Sequence, residues 1–289
     1  MNCSNTTKEV ESSIQLLNIL ATIPLFVLGI ACNGLALWVF CSNLKNWNVT
    51  IIYMVNLIIS DVTVLLTFPF RLYAYLYTSD LGKSLCKALI NLYVVNMYMS
   101  IFTITAIAID RYLAIVFPIK AKQWRSPVKA IVICCTLWSI HISLAVILVL
   151  TQKDSMTPVC FQKANHEPRL LHIMFVIAGF IFPLAVVSFC TGRVIMTLYG
   201  KEVPDVNEQK SIRKAIKIII SNFVVFIICF LPVHVGYTIR FVAETVKASC
   251  YIQDKVQVFI HVAVLVANSN CVLDSVCYYF AASEFWKAS

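Results

Sequence analysis

The chain has 289 residues, of which 60% are hydrophobic and only 13% are charged, and its formal net charge is +9. Soluble domains are usually about 45–50% apolar and about 25% charged, so this composition excludes an ordinary water-soluble globular protein. The lysines and arginines are spread among short polar segments between apolar runs. We therefore interpret the positive charge as orienting the chain in a membrane, not as a surface that binds nucleic acid.

Seven apolar runs follow one another along the chain, and each is long enough to form a membrane-spanning helix, which needs about 20 mostly apolar residues. The runs cover residues 14–41, 50–77, 84–115, 127–150, 170–199, 212–242 and 254–280. They predict an all-α membrane protein, a seven-transmembrane helix bundle. In this scheme residues 1–13 are an extracellular N-terminal segment, residues 14–280 are the transmembrane domain, and residues 281–289 begin a short amphipathic helix 8.

Two features favour an extracellular N-terminus. With that orientation the inner segments carry 13 lysines and arginines and the outer segments carry ten, and cytoplasmic loops usually hold the excess. Asn2 and Asn5 each begin an Asn-x-Ser/Thr glycosylation acceptor, and such acceptors are modified only on the luminal side. We therefore expect a multi-pass protein of the plasma membrane with its N-terminus outside the cell.

Two carboxylates lie inside the apolar runs, Asp61 in the second and Asp274 in the seventh. An ionisable group in lipid is costly and is a functional candidate by default. Asn96, Ser100 and Asn270 supply further polar atoms at comparable depths. Such a set suits a hard cation such as Na⁺, held by Asp61 and Asp274, or a proton shared by the two carboxylates. A static hydrogen-bonded cluster is the alternative, and no other cofactor is expected.

The order of the motifs resembles that of the rhodopsin-like (class A) G protein-coupled receptors. The matching residues occur in every run, in the family's order: Asn33, Leu57 with Asp61, Asp110-Arg111-Tyr112, Trp138, Pro183, Cys229-Phe230-Leu231-Pro232 and Asp274-Ser275-Val276-Cys277-Tyr278. Five positions depart from the family. Phe230 replaces its common tryptophan, and Asp274 and Ser275 replace its usual asparagine and proline; Cys32 and Thr191 stand where it often has glycine and tyrosine.

This resemblance implies a fold, partners and roles for individual residues. The family's G protein coupling motif corresponds to Asp110, Arg111 and Tyr112, and its activation switch corresponds to Phe230, Pro232 and Tyr278. The implied partners are a heterotrimeric G protein, of the Gi/o and G12/13 classes, and arrestin. The resemblance also implies two disulfide bonds, one from Cys86 to Cys160 and one from Cys3 to Cys250.

The outer half of the bundle is basic and aromatic. Arg71 lies two residues after Pro69 in the second run, and Arg240 lies two turns after Pro232 in the sixth. An arginine in a low-dielectric pocket pairs bidentately with carboxylate or phosphate; the alternative is that these side chains extend to the lipid headgroups. The residues expected to line the pocket beside the arginines are Tyr75, Tyr93, Met97, Tyr237 and Phe241.

These observations predict a receptor that binds an anionic small molecule or a lysophospholipid and activates G proteins. Basic residues at the inner ends of the runs would flank the docked G protein: Lys120, Arg125, Lys214 and Lys217. A secondary transporter is the alternative, because intramembrane carboxylates would be equally natural there. An enzyme is not expected, since the runs contain no paired His-Glu-His metal set and no nucleophile elbow.

Overall fold

The computed structural model describes residues 6–42, 48–77, 82–151, 168, 170–201 and 205–275. These residues contain no strand, and seven of their helical segments are long and apolar enough to cross a membrane. We number them spans 1 to 7 in chain order: Ile14–Ser42, Val49–Leu76, Ser84–Val116, Pro127–Leu150, Leu170–Tyr199, Val206–Thr245 and Cys250–Ser275. The predicted all-α, seven-transmembrane fold is confirmed. The predicted helix 8 lies outside the described residues.

The helices themselves have slightly different bounds, because some spans are interrupted and some helices extend by one or more residues beyond the apolar stretch. The α-helices are Thr6–Ser42, Val49–Leu65, Phe68–Tyr77, Lys83–Val116, Pro118–Trp124, Pro127–Thr151, Leu170–Val176, Phe182–Tyr199, Val206–Thr245 and Cys250–Asn268. Span 6 begins earlier than residue 212, where the sequence predicts its start. The Asp205 carboxylate caps this helix by accepting hydrogen bonds from the backbone N–H groups of Asn207 and Glu208, both at 3.2 Å.

Span 2 is broken into two helices at Leu66 and Thr67. The Thr67 N–H donates to the Val64 carbonyl at 2.9 Å, and the Thr67 hydroxyl donates to the same oxygen at 2.6 Å. Pro69 is well suited to the first turn of the next helix, because the N–H that proline lacks would have no helical partner there. The break separates the inner part of span 2, which carries Asp61, from the outer part, which carries Arg71.

Span 5 contains a π-helical segment at Ile177–Ile181, just before Pro183. Proline cannot donate the helical hydrogen bond, and a wider turn accommodates the change. Gly179 within this segment lies against the ring of Tyr98 in span 3, since a Cβ atom added to Gly179 would lie 2.4 Å from Tyr98 Cε1. The absence of a side chain at Gly179 therefore allows spans 3 and 5 to approach closely.

The core of the bundle lies between spans 3, 5, 6 and 7. Its buried residues are Met97, Tyr98, Ile101, Phe180, Phe226, Cys229, Phe230, Val233, Ala263 and Ala267. Asn56 links span 2 to spans 3 and 4, because its amide donates to Thr103 Oγ1 at 2.8 Å and accepts from Trp138 Nε1 at 2.9 Å. Span 4 is at the periphery: only 11% of its most apolar stretch is buried inside the bundle, compared with 72% for span 2. The exposed apolar faces suit contact with lipid.

Candidate functional site

Arg71 lies inside the outer half of the bundle. The residue is 5% exposed, and its guanidinium carbon lies 5.7 Å from the centre of the Tyr93 ring and 5.8 Å from that of Phe68. An arginine over an aromatic face gains cation–π stabilisation. Tyr75, one turn further along the helix, lies near enough to Arg71 to interact with it. The guanidinium is therefore held among tyrosines within the protein and does not extend to lipid headgroups.

Arg240 in span 6 has a carboxylate partner on the same helix. Its Nε atom donates to Glu244 Oε1 at 2.9 Å, with the two side chains 14% and 2% exposed. Glu244 was not predicted from the sequence, although its spacing of four residues from Arg240 is one that brings helical side chains together. The predicted anion-binding arginine thus belongs to an internal ion pair.

Tyr237 and His261 connect the two arginines. Each of these side chains lies near enough to both Arg71 and Arg240 for their charges or dipoles to interact. His261 also lies 3.0 Å from Gln257 Nε2, through its own Nε2 atom, and His172 of span 5 stacks on Tyr237 with ring centres 5.8 Å apart. His261 was not predicted, because a lone histidine in an apolar run has no pattern that marks it as a pocket residue.

The remaining predicted pocket residues lie at two depths. Phe241 is half-buried, one turn from Tyr237. Met97 is 3% exposed and lies in the hydrophobic core; its sulfur is 3.7 Å from the Tyr93 hydroxyl. Below Tyr93 and Met97 is a small cavity, and it extends towards the polar core. Its lining residues also include Asn96, Ser100, Phe230, Asn270 and Cys271.

Asp61 and Asp274 lie together in this polar core. They are 1% and 5% exposed, and their carboxylates are near enough to interact electrostatically. Asn270 Nδ2 donates to Asp274 Oδ2 at 2.7 Å. Asn96 Nδ2 donates to the Ser60 carbonyl at 2.7 Å and to its hydroxyl at 2.8 Å, so Asn96 fastens span 3 to span 2 beside Asp61.

Several oxygen atoms in this core are buried but accept no hydrogen bond from the residues that the structure describes. They are Asn33 Oδ1, Asp61 Oδ2, Ser100 Oγ and Asn270 Oδ1. A buried polar atom without a partner is costly, and two carboxylates with neutral oxygens are ligands that a hard cation prefers. Among the residues that the structure describes, no three His, Cys, Asp or Glu side chains lie close enough together to hold a metal ion. The donor set therefore fits Na⁺ or a proton better than a transition metal.

A histidine links spans 3, 5 and 6 beneath the pocket. His234, two residues after Pro232, is 1% exposed. Its Nδ1 atom lies 2.7 Å from the Phe230 carbonyl and its Nε2 atom lies 3.4 Å from the Tyr98 hydroxyl. The imidazole also stacks on Phe180 of span 5, with ring centres 4.2 Å apart. Phe230 and Pro232, two of the three predicted switch residues, thus lie beside a polar contact that the sequence did not reveal.

At the end of span 3 that the sequence predicts to be cytoplasmic, Asp110 is held by Arg125. The guanidinium donates two hydrogen bonds, from Nε to Oδ1 at 2.7 Å and from Nη2 to Oδ2 at 2.9 Å. From the sequence we expect Arg125 to flank a docked partner; in the structure it also forms this bidentate pair, with its side chain 30% exposed. Tyr112 contacts Phe117 and Phe189 edge-on or tilted, with ring centres 5.5 Å and 5.7 Å apart.

The other predicted cytoplasmic residues lie around this pair. Arg111 is half-buried, and Lys120 lies 5.9 Å from the centre of the Phe117 ring. Lys214 and Lys217 lie in the first turns of span 6, where Lys217 is exposed and Lys214 is half-buried. Their contact with a partner stays a prediction.

Spans 3 and 7 each carry a disulfide-bonded cysteine at the opposite end of the bundle, the end predicted to be extracellular: Cys86 and Cys250. Their predicted partners, Cys160 and Cys3, lie outside the described residues, as do the glycosylation acceptors Asn2 and Asn5 and the switch residue Tyr278. The pairing of the cysteines therefore stays a prediction.

Comparisons with known proteins agree with this arrangement. The family model described as "7 transmembrane receptor (rhodopsin family)" matches residues 32–278. The chain is 38% identical over 275 residues to the human G-protein coupled receptor 35, an alignment that covers 92% of this chain and 84% of that receptor. It is 34% identical over 272 residues to the human G-protein coupled receptor 55, covering 91% and 84%.

A third relative is the mouse lysophosphatidic acid receptor 5, which is 33% identical over 272 residues, covering 89% of this chain and 72% of that receptor. These relatives are receptors, so the chain is not an enzyme, and the comparison weighs against the transporter alternative. The chain belongs to the rhodopsin family of seven-transmembrane, G protein-coupled receptors.

Proposed function

We propose that this receptor binds an anionic small molecule or a lysophospholipid in the pocket between spans 2, 3, 6 and 7. The observation that carries the proposal is that Arg71 is buried close to Arg240. Tyr237 and His261 each lie near enough to interact electrostatically with both arginines. A guanidinium in a low-dielectric pocket binds carboxylate or phosphate through charged hydrogen bonds, and an acidic ligand would place its charge close to both arginines. The names of two relatives also specify acids: lysophosphatidic acid receptor 5 and hydroxycarboxylic acid receptor 3.

The mechanism that we propose uses a shift between two arrangements of the helices. A ligand moves such an equilibrium only by binding one arrangement more tightly than the other. A ligand that contacts Tyr237 and Arg240 acts on the part of span 6 that lies on the outer side of Pro232. The helix can bend at Pro232, because proline lacks the N–H of one backbone hydrogen bond. His234, on the same helix, would transmit that movement to Tyr98 of span 3 and Phe180 of span 5.

The polar core takes part in the same shift. A bound cation or proton would supply a positive charge between Asp61 and Asp274, and the oxygens of Asn33, Ser100 and Asn270 would complete its surroundings. These residues belong to spans 1, 2, 3 and 7, so movement of span 7 changes their separation.

The active arrangement would then present Arg111 and the basic start of span 6 to a G protein, of the Gi/o or G12/13 classes. Arrestin is a further proposed partner.

We place the receptor in the plasma membrane with its N-terminus outside the cell. The supporting observations are the two disulfide-bonded cysteines, since disulfides form in oxidising compartments, and the excess of lysine and arginine on the opposite side. Both cysteines lie at the end of the bundle where this orientation places the extracellular loops.

The proposal is tested with a panel of anionic metabolites and lysophospholipids, each matched with a neutral amide or glyceride analogue, in an assay of several G proteins. Arg71→Gln and Arg240→Gln should each reduce the potency of an active acid by about tenfold or more, as expected for loss of a charged hydrogen bond. Lys255→Gln is the matched control, because Lys255 lies at the same end of the bundle as the two arginines but its side chain is exposed. Unchanged potency in both arginine variants, at equal surface expression, would contradict the proposal.

A further inference from the structure

The core-facing stripe of span 6 continues inward to a polar residue. Phe226, Cys229, Phe230 and Val233 are buried in the hydrophobic core, each at most 1% exposed. Asn222 lies one turn before Phe226, and residues four apart share one face of a helix. The spacing therefore places an asparagine where this stripe would otherwise continue with an apolar side chain.

The amide of Asn222 has an acceptor without a donor. Its Oδ1 atom is buried and accepts no hydrogen bond from any residue that the structure describes. An amide oxygen can accept two hydrogen bonds, and burying it without a partner is unfavourable because its hydrogen bonds to water are lost. The arrangement of helices in this structure therefore carries a cost at Asn222.

Span 6 itself offers no side chain that could remove this cost. The residues one turn away on either side of Asn222 are Ile218, Ile219, Val225 and Phe226, and none of these side chains has a hydrogen-bond donor. A donor must therefore come from water or from another protein segment. Either of them requires a change around Asn222.

Bending of span 6 at Pro232 would supply that change. Asn222 lies ten residues before Pro232, about 15 Å along the helix, and so belongs to the inner segment that moves when the helix bends there. Outward movement of this segment opens a cleft between the inner ends of the spans, where a G protein docks. Water or the docked protein then reaches Asn222 Oδ1. We call the arrangement in this structure closed, because that oxygen is buried, and the other arrangement open.

We infer that Asn222 sets the ligand-independent activity of this receptor by destabilising the closed arrangement of span 6. A group that is unpartnered in one of two arrangements and paired in the other shifts their ratio by its full cost. For one buried acceptor this shift is about five- to 150-fold. An apolar side chain at this position would keep the cleft closed until a ligand binds, whereas asparagine lets a fraction of ligand-free receptors open. The inference rests on coupling to a G protein and does not depend on the anion pocket.

The test measures nucleotide exchange on several purified G proteins, catalysed by the receptor in nanodiscs without any ligand, and the unfolding temperature of the same samples. The wild-type receptor should accelerate exchange above the rate of each coupled G protein alone. Asn222→Leu keeps a side chain that branches at the same atom but has no polar group. It should reduce the acceleration by about fivefold or more and raise the unfolding temperature, because the closed arrangement no longer buries an unpartnered acceptor.

Two further variants separate this effect from packing. Asn222→Ala also removes the amide and is smaller than leucine, so it should reduce ligand-free exchange even if leucine does not fit. Ser221→Ala is the matched control, because Ser221 is the neighbouring residue on span 6 and its side chain is exposed. It should leave both the exchange rate and the unfolding temperature unchanged.

Three results would overturn the inference. The first is a wild-type receptor that does not accelerate exchange on any G protein. The second is unchanged exchange with both Asn222→Leu and Asn222→Ala, compared at equal amounts of folded receptor. The third is a lower unfolding temperature, or loss of folding, in both variants, which would show that Asn222 stabilises the closed arrangement. Because no ligand is added, none of these results depends on whether the outer pocket binds anions.

Discussion

The imidazole of His234 is held in one tautomer by its two neighbours. Nδ1 faces the Phe230 carbonyl, which only accepts hydrogen bonds, so Nδ1 carries the proton and Nε2 accepts from the Tyr98 hydroxyl. The same ring stacks on Phe180. One side chain therefore satisfies the backbone of its own helix and contacts two neighbouring helices through different atoms.

Removing the Tyr98 hydroxyl should destabilise the receptor. Tyr98→Phe keeps the ring that packs on Phe175 but leaves His234 Nε2 buried without its partner, which costs about 1–3 kcal/mol. We expect a lower unfolding temperature for the purified protein. Tyr251→Phe is the control, because Tyr251 is 66% exposed and its hydroxyl is not needed inside the bundle. Equal unfolding temperatures for Tyr98→Phe and the wild type would show that this hydrogen bond contributes nothing.

At the scale of helices, Gly179 determines how closely spans 3 and 5 approach. Gly179→Ala should force the Tyr98 ring to move, because the new Cβ atom would lie 2.4 Å from it and the ring is held between Phe175 and His234. Overpacking of this kind costs about 1–3 kcal/mol. In Gly192→Ala, further along the same span, no atom lies within 4 Å of the new Cβ, so the substitution should be neutral or stabilise the helix by up to about 1 kcal/mol. Thermal unfolding of both variants would decide, and equal losses would contradict the packing argument.

The short helix Pro118–Trp124 is fastened to span 3 by the pair between Asp110 and Arg125 that follows it. Arg125→Gln should lower the stability by about 1–2 kcal/mol, since it leaves a carboxylate that is only 7% exposed without its partner while the arginine itself is partly solvated. Lys201→Gln is the matched control: its pair with Glu208 has side chains that are 57% and 48% exposed, so the loss should be below about 1 kcal/mol. A larger loss for the control would refute the argument from burial.

At the scale of the whole molecule, the polar core joins spans 1, 2, 3 and 7. If Na⁺ binds there, 100 mM Na⁺ should stabilise the receptor relative to 100 mM K⁺ by about 1.4 kcal/mol for a dissociation constant of roughly 10 mM. Asp61→Asn should abolish this difference, whereas Asp254→Asn, a carboxylate at the outer end of span 7, should leave it unchanged. If the unfolding temperature does not distinguish the two cations, Na⁺ does not bind there, which leaves a shared proton or a static hydrogen-bonded cluster.

The spans could be predicted from the sequence because membrane insertion depends on the length and polarity of each run. The family motifs were equally visible, since they recur at fixed places along the chain. Glu244 could have been found from its spacing to Arg240. The contact of Tyr98 with His234 could not, because it depends on how two helices rotate about their axes, and each residue of error in register turns a side chain by about 100°. The pair of Asp110 with Arg125 depends on the path of a loop.

The break in span 2 has a consequence for how receptors of this kind diversify. Because a helix ends at Leu65 and another begins at Phe68, a residue inserted or lost between them would rotate the outer segment by about 100°. The inner segment would keep its register. Arg71 and Tyr75 would then turn to a different neighbour while Asp61 stayed in place. Changes at this joint would therefore alter which molecules a descendant receptor recognises and preserve the interior through which all of them signal.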